Sequence, residues 1–313
     1  MVIMDNIKFS ITIPAFKKQY LKEAIDSCIY QTYGNFEIVI VNDASPENLD
    51  EIVNSYNDDR IRYYKNDVNC GALNVVDNWN KCLSYCTGDY VICIGDDDCL
   101  LPDTLREYKR LIDKYPGIGL LHGWTEIIDE ESNFMDLTPP RPEFESAYSL
   151  LWNRWENRHK QFIGDWCFEV EWLRQNGGFY KLPLAWASDD ISSIIGAQKN
   201  GVANSQIICF KYRSSDQTIT STGSVEHKMM AVKSEREWYK EFLKDEPNDE
   251  LDLKYRYLLQ LRLDKVITKK YAGLISQDLR KHPLHLLRWL KKRNEYSYNI
   301  KTLLYSALIA ITR

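Results

Sequence analysis

Tyr90-Val-Ile-Cys-Ile-Gly-Asp-Asp-Asp98 is the stretch that decides the fold. Its first five residues are an unbroken apolar run of strand length, the pattern of a strand covered on both faces in a parallel sheet. Three carboxylates follow it directly. Working outward, Glu37-Ile-Val-Ile-Val41 is a second such run, followed by the capping-rich loop Asn42-Asp43-Ala44-Ser45-Pro46. Phe9-Ser-Ile-Thr-Ile13 reads as a further strand stopped by Pro14, and Ile61 to Tyr64 as a short one. Helical spacing separates them: residues 20–31 put Leu21, Ala24, Ile25, Cys28 and Ile29 on one face, residues 73–85 form another helix, and Pro102 opens a third that reaches about Lys114. This alternation predicts right-handed crossovers and a mostly parallel α/β sheet. Ligands of such sheets bind beyond the carboxyl ends of the strands, where Asp43 and Asp96-Asp97-Asp98 fall.

Further along, residues 118–128 read as a strand, and Thr138-Pro-Pro-Arg-Pro142 as a break. An aromatic-rich segment holds Tyr148, Trp152, Trp155, Phe162, Trp166 and Phe168. Large aromatics mostly fill cores, and the alternative is a platform on which a ligand's rings stack. His122, on an apolar stretch, reads as a core histidine rather than a metal ligand. Gly177-Gly178-Phe179 precedes Ala187-Ser188-Asp189-Asp190, after which helical spacing resumes. From about Glu226 the chain is helical and charged.

The 313 residues are 44% hydrophobic, with no apolar run near the roughly 18–20 residues that span a bilayer. This excludes an integral span, a disordered chain and a small disulfide scaffold. Residues 265–313 contain 11 Lys/Arg and two acids, a balance of +9, so the −5 of the whole chain leaves −14 on residues 1–264. An acidic body argues against nucleic acid as a partner, and a basic tail argues for an anionic surface. Eight cysteines without C-x-x-C or zinc spacing are expected to be reduced and mostly buried. Met1 to Ser10 lacks the apolar core of a secretory signal, which predicts a cytoplasmic location.

Three adjacent carboxylates raise one another's pKa, and a divalent cation, Mn²⁺ or Mg²⁺, relieves the repulsion while leaving positions for substrate phosphates. The competing reading is a solvated acidic turn. Asp43 is a hydrogen-bond acceptor for a nucleotide or a helix cap, and Asp189-Asp190 is a source of a general base or a cap.

Pro14, Val41-Asn42-Asp43-Ala44-Ser45, Asn69-Cys70-Gly71, Asn78-Trp79-Asn80, Gly88-Asp89-Tyr90 leading into Asp96-Asp97-Asp98, Gly178-Phe179 and Asp189-Asp190 stand in the order seen in family 2 inverting glycosyltransferases of the GT-A fold, which residues 8–222 resemble. The resemblance implies a nucleotide-sugar donor, with Asp43 pairing with the base, usually uracil, and Pro14 and Phe16 shaping the loop beneath it. It implies that Asp96 approaches the ribose or metal, that Asp97 holds the metal, and that Asp98 substitutes for either. The base falls on Asp190, with Asp189 as the alternative, and Arg213 is a candidate contact for the diphosphate. This chain departs from the family pattern at Asn42, Leu73 and Asp189. The implied organisation is a GT-A domain over residues 1–225, with a nucleotide half about 1–116 and an acceptor half about 117–225. A helical, basic extension occupies residues 226–313.

Ile300, Leu303, Leu304, Ala307, Leu308 and Ile311 form a continuous apolar stripe, and Leu286, Leu287, Trp289 and Leu290 are interleaved with Arg288, Lys291, Lys292 and Arg293. Such a tail lies on an anionic membrane, here the cytoplasmic face of the inner membrane, or packs on the catalytic domain or on the second subunit of a homodimer. The expected reaction is metal-dependent sugar transfer to a glycan hydroxyl, with a lipid-linked glycan as the narrower acceptor. Two rivals are a sugar-nucleotide pyrophosphorylase, which needs a glycine-rich loop where this chain has Pro14-Ala-Phe-Lys-Lys18, and a non-catalytic membrane-tethered scaffold or nucleotide sensor.

Overall fold

A computed structural model describes residues 7–215 and 223–312. Asp216 and Gln217, at the end of the motif-bearing region, lie outside the described residues. β1 (Phe9–Ala15), β2 (Phe36–Asn42), β3 (Ile61–Lys65) and β4 (Tyr90–Cys93) pair in parallel in the order β3-β2-β1-β4. The reason is visible along β2, where every residue is buried. Ile38 and Ile40 enter the main core, whereas Val39 and Val41 pack on the other side with Cys82 of α3 (Val75–Tyr85). An apolar run without alternation thus fills both faces, as β4 also does. Each aliphatic side chain so buried contributes about 1.5–3 kcal/mol.

α1 (Leu21–Ile29) buries Leu21, Ala24, Ile25 and Cys28, the stripe its spacing predicts, and α2 (Asp50–Val53) is a single turn. The chain then passes through β5 (Cys99–Leu100), α4 (Thr104–Lys114), β6 (Leu120–Ile128), β7 (Phe134–Leu137), β8 (Phe144–Glu145), α5 (Ala147–Trp155), β9 (Trp166–Glu169), α6 (Val170–Gln175), α7 (Ser188–Ala197) and β10 (Val202–Arg213). The sheet continues from β4 through β9, β6 and β10 to β5, with β7 on β6 and β8 on β10. In this half β9 runs antiparallel to both neighbours, while β6 and β10 are parallel. Trp166 and Phe168 are core residues of β9, and Trp152 and Trp155 are half-buried on α5.

Two compact units divide the described residues. One runs up to Lys181 and resumes from Ser188 through β10; the other comprises Leu182–Ala187 and the helices from Val225 onward. The latter are α8 (Val225–Phe242), α9 (Glu250–Lys281), α10 (Leu286–Lys292) and α11 (Ile300–Thr312). Asp249 caps α9, its Oδ1 accepting from the amides of Leu251 and Asp252 at 2.9 and 3.0 Å. Trp289, whose place in a basic segment suggested an interfacial anchor, is instead fully buried and donates to Asp278 Oδ2 at 2.7 Å. Among the described residues no helix is long and apolar enough to cross a membrane.

The asparagines of α3 explain a motif at long range. Asn80 pairs its side-chain amide with the backbone of Phe179, accepting from its N–H at 2.7 Å and donating to its carbonyl at 3.0 Å. Gly178 sits at φ +84°, and a Cβ there would lie 2.3 Å from Asn80 Oδ1, an atom this pairing holds in place. Gly177, at φ +87°, faces open space. Gly177→Ala should therefore cost only the backbone contribution, about 1–2 kcal/mol. Gly178→Ala should cost clearly more. Urea unfolding of the two variants checks this, and equal midpoints would contradict the role given to Asn80.

Candidate active site

Three loops leave the carboxyl ends of β1, β2 and β4 side by side, because Ala15 is in register with Asn42 and Thr12 with Cys93. Asp43 is nearly buried and organises the second loop. Its Oδ1 accepts from Asn66 Nδ2 at 2.7 Å and from the Cys70 amide at 3.0 Å, and its carbonyl accepts from Asn69 Nδ2 at 2.7 Å. The Asn69-Cys70-Gly71 turn, with Gly71 at φ +75°, is thus folded onto Asp43. Oδ2 is the less engaged oxygen, accepting only a second share of the Cys70 amide at 3.2 Å among the bonds described. Asn42, where the family pattern often has an acid, fixes the same turn by accepting from the Ser45 amide at 2.9 Å. Phe16 stands exposed beside this loop, and Leu73 is also exposed.

The acidic triplet splits into three different roles. Asp96 is buried, and its Oδ2 accepts from the amides of Phe16 and Lys17, both at 2.6 Å, so it ties the β1 loop to the end of β4. Burial and the charge of Asp97 push its pKa up to about 6 against those two amides. Asp98 is buried as well, accepts from the Arg213 amide at 2.9 Å, and is raised well above the usual range by burial and then by Asp97. Asp97 is the more exposed of the three, with Lys17 Nζ 4.0 Å from its Oδ2. A Cβ on Gly95 would lie 2.8 Å from Asp97 Oδ1 and 2.9 Å from Asp98 Oδ2, so these two oxygens converge over a residue without a side chain.

The donor set fits a divalent cation in one particular way. Among the described residues no group of three or more His, Cys, Asp or Glu side chains could hold a metal alone. Two converging carboxylates whose ionisation is disfavoured suit a cation that takes its other ligands from a substrate diphosphate and water. Asp97 and Asp98 fit that description. Asp96 does not, because its placed oxygen is occupied by backbone amides.

Arg213, the candidate contact for the diphosphate, is fully buried. Its Nε donates to the Asp97 carbonyl at 2.8 Å, Nη1 to the Asp129 carbonyl at 3.1 Å and Ser132 Oγ at 2.8 Å, and Nη2 to Glu23 Oε2 at 2.7 Å. Its guanidinium also lies 4.1 Å from the Tyr20 ring centroid. With its donors so engaged, Arg213 is a strut for the acidic turn.

The late acidic pair opens α7. Asp190 is nearly buried and held by Arg154 through Nε at 2.6 Å and Nη2 at 3.4 Å, and by Gln161 Nε2 at 2.9 Å. Asp189 is partly exposed, and burial together with the adjacent Asp190 charge raises its pKa. The Tyr212 hydroxyl is pushed up to about 12 by burial and then by Asp98, Asp97 and Asp189. Arg154, Gln161 and Tyr212 carried no signal of their own in the sequence, because they matter only through tertiary neighbours.

Behind the pair lies a buried polar group. Asp165 accepts from the Phe162 amide at 3.0 Å and Thr125 Oγ1 at 3.1 Å, and burial pushes it up to about 8. His122, 3.6 Å away, is a core histidine as expected, but neither ring nitrogen has a hydrogen-bond partner. Burial and Arg141 hold it well below its usual pKa, hence neutral. All eight cysteines are free, and only Cys70 is not buried.

The model of Glycosyl transferase family 2 matches residues 10–168, just over half of the chain. Among curated relatives, an uncharacterized glycosyltransferase of Rickettsia conorii is 33% identical over 136 residues, 42% of this chain and 22% of that protein. The chain thus spans well under two thirds of that relative's length. WfgD of Escherichia coli, a UDP-Glc:alpha-D-GlcNAc-diphosphoundecaprenol beta-1,3-glucosyltransferase, is 25% identical over 221 residues, 70% of this chain and 81% of that protein. Residues 1–349 of S. aureus TarS, solved with UDP-GlcNAc, match with TM-score 0.66 at 14% identity over 98% of this chain and 91% of that one. The mannosyltransferase PcManGT of Pyrobaculum calidifontis, solved with GDP-Man and Mn²⁺, matches with TM-score 0.52 at 16% identity, covering 98% and 88%. These likenesses show the GT-A fold that the motifs implied.

The acidic site gives a pH signature with a definite sign. The folded pKa of Asp98 lies above the unfolded value of about 3.9, so its contribution is favourable below that value and is lost as pH rises through the folded pKa. Asp98→Asn should therefore gain stability relative to the parent between about pH 4 and pH 8. Mn²⁺ should raise the melting temperature of the parent at the higher pH and leave the variant nearly unchanged. Thermal melts at both pH values check this, and a pH-independent difference would count against it.

Proposed function

Because the chain belongs to glycosyl transferase family 2, we propose that it is an inverting glycosyltransferase that moves a sugar from a nucleotide donor to a glycan hydroxyl. The observation that carries this reading is the pair of carboxylates, Asp97 and Asp98, brought together over Gly95 just past the end of the buried strand β4, with a second acidic pair, Asp189-Asp190, opening α7. The donor is proposed to be UDP-linked, with Asp43 Oδ2 accepting from the base and Phe16 and Pro14 flanking it. The UDP-sugar named for WfgD and the UDP-GlcNAc bound to TarS support this choice over the GDP-Man bound to PcManGT. The diphosphoundecaprenol acceptor in WfgD's name supports the choice of a lipid-linked glycan, and we propose the cytoplasmic face of an inner membrane as the place of reaction.

A divalent cation on Asp97 and Asp98 would offset the charge developing on the departing diphosphate. The rest is the work of this chain's own groups. Asp96 and Arg213 hold the acidic turn in shape from either side. The general base is Asp189 rather than Asp190. Asp189 is accessible and its ionised form is disfavoured, so it gains a proton readily, whereas Asp190 is committed to Arg154 and Gln161. Asp189 takes the proton of the acceptor hydroxyl as that oxygen attacks the anomeric carbon. The bond to the diphosphate breaks on the opposite face, its electron pair leaving with the nucleoside diphosphate, and one displacement inverts the centre. Asp190 orients the first turn of α7.

The test follows nucleoside diphosphate release from UDP-, GDP- and dTDP-sugars with Mn²⁺. Asp189→Asn should lower turnover by about 10³-fold with donor affinity kept, whereas Asp190→Asn should lose about ten- to a hundredfold. The acid limb of the pH–turnover profile should lie above the ordinary carboxylate range, since activity falls as Asp189 gains its proton, and it should vanish in Asp189→Asn. The reverse order of the two variants would return the base to Asp190, and release from GDP- or dTDP-sugars alone would overturn the uridine reading.

A further inference from the structure

The last helix is built inside out for a helix in water. α11 packs on α9 through Thr302, Leu303 and Ser306, all buried, with Ser306 Oγ donating to the Thr302 carbonyl at 2.7 Å. Of the apolar stripe read from the sequence, Leu303 is buried and Ala307 half-buried. Ile300, Leu304, Leu308 and Ile311, spaced along one face, are 46%, 64%, 59% and 84% exposed. The adjoining α10 and the turn before it expose Leu284 and Leu287 in the same way. The interior of this unit is already complete without them, being made by Trp289, Tyr271, Tyr296 and Tyr298.

The same segment carries an excess of positive charge. Arg280, Lys281, Lys291, Arg293 and Lys301 are exposed, and no acid follows Glu295. Asp278, one of the two acids among the last 49 residues, is turned inward to Trp289 and His285. We propose that the exposed face of α11 with α10 is a docking surface for an anionic lipid bilayer, lying in the plane of its interface. A 13-residue helix is about 20 Å long, too short for a hydrocarbon core of about 30 Å, so it lies on the membrane rather than across it. Leucine and isoleucine enter the acyl boundary while the flanking Lys and Arg meet lipid phosphates. A second copy of the chain is the poorer occupant, because a two-fold contact would set this basic surface against itself. The inference stands on this unit alone and does not depend on the transfer chemistry.

The experiment is flotation of the full chain with vesicles of phosphatidylglycerol mixed with phosphatidylcholine, against phosphatidylcholine alone. The parent should float with the anionic vesicles only and be released as salt approaches about 1 M, where the screening length is about 3 Å. Leu304→Ser/Leu308→Ser/Ile311→Ser and, separately, Lys291→Glu/Arg293→Glu should each lower partitioning at least about tenfold, with unchanged thermal melts and unchanged nucleotide release from a soluble donor. The proposal fails if the parent does not float, if the triple variant floats equally, or if sedimentation equilibrium without lipid finds a dimer that the triple variant dissolves. Loss of nucleotide release in all variants would bear on the transfer reading and leave the flotation result to stand by itself.

Discussion

Three carboxylates crowded at the end of a buried strand are the constraint around which the catalytic unit is arranged. Desolvation and mutual repulsion oppose the ionisation of Asp96, Asp97 and Asp98, and the chain answers each in a different way. Asp96 receives two amides of the β1 loop, Asp98 receives the amide of Arg213, and the turn itself is gripped by the Arg213 guanidinium. What remains is the side over Gly95, where Asp97 Oδ1 and Asp98 Oδ2 come together. That crowding is what the proposed divalent ion and donor diphosphate would relieve.

The same logic runs through the uncharged motifs. Asn66, Asn69 and Asn78 form a chain of amides that fixes Asp43, with Asn66 Nδ2 also donating to Asn78 Oδ1 at 3.1 Å. Asn80 holds Phe179 across 99 positions of sequence. Asparagine suits these posts because one side chain both donates and accepts, so a backbone segment can be held where no strand neighbour reaches it. These residues form a scaffold that presents the acids.

Much of this was legible in the residues themselves. The strands β1, β2 and β4, the helices between them and the loops carrying Asp43 and Asp96–Asp98 follow from hydrophobic period and run length, which local physics sets. The apolar stripe of α11 was equally plain, but its direction was not. A stripe reports that a helix has two faces, and it does not say which one the fold consumes; here the small polar side chains of Thr302 and Ser306 allowed the closer approach to α9. Trp289 misled for a related reason, since a tryptophan among lysines looks interfacial until a partner such as Asp278 is known.

The sequence by itself determined the alternation of elements, the positions of the acidic clusters and the uneven charge between body and tail, because each depends on residues close together in the chain. Only the tertiary structure decided how the individual acids differ. Arg213 became a buried strut because Glu23, Asp129 and Ser132 meet it from elsewhere in the chain, and Asp190 is marked off by the hydrogen bonds it accepts from Arg154 and Gln161. A carboxylate's chemistry is set by its burial and by the donors around it, and those come from segments that only the folded chain brings together.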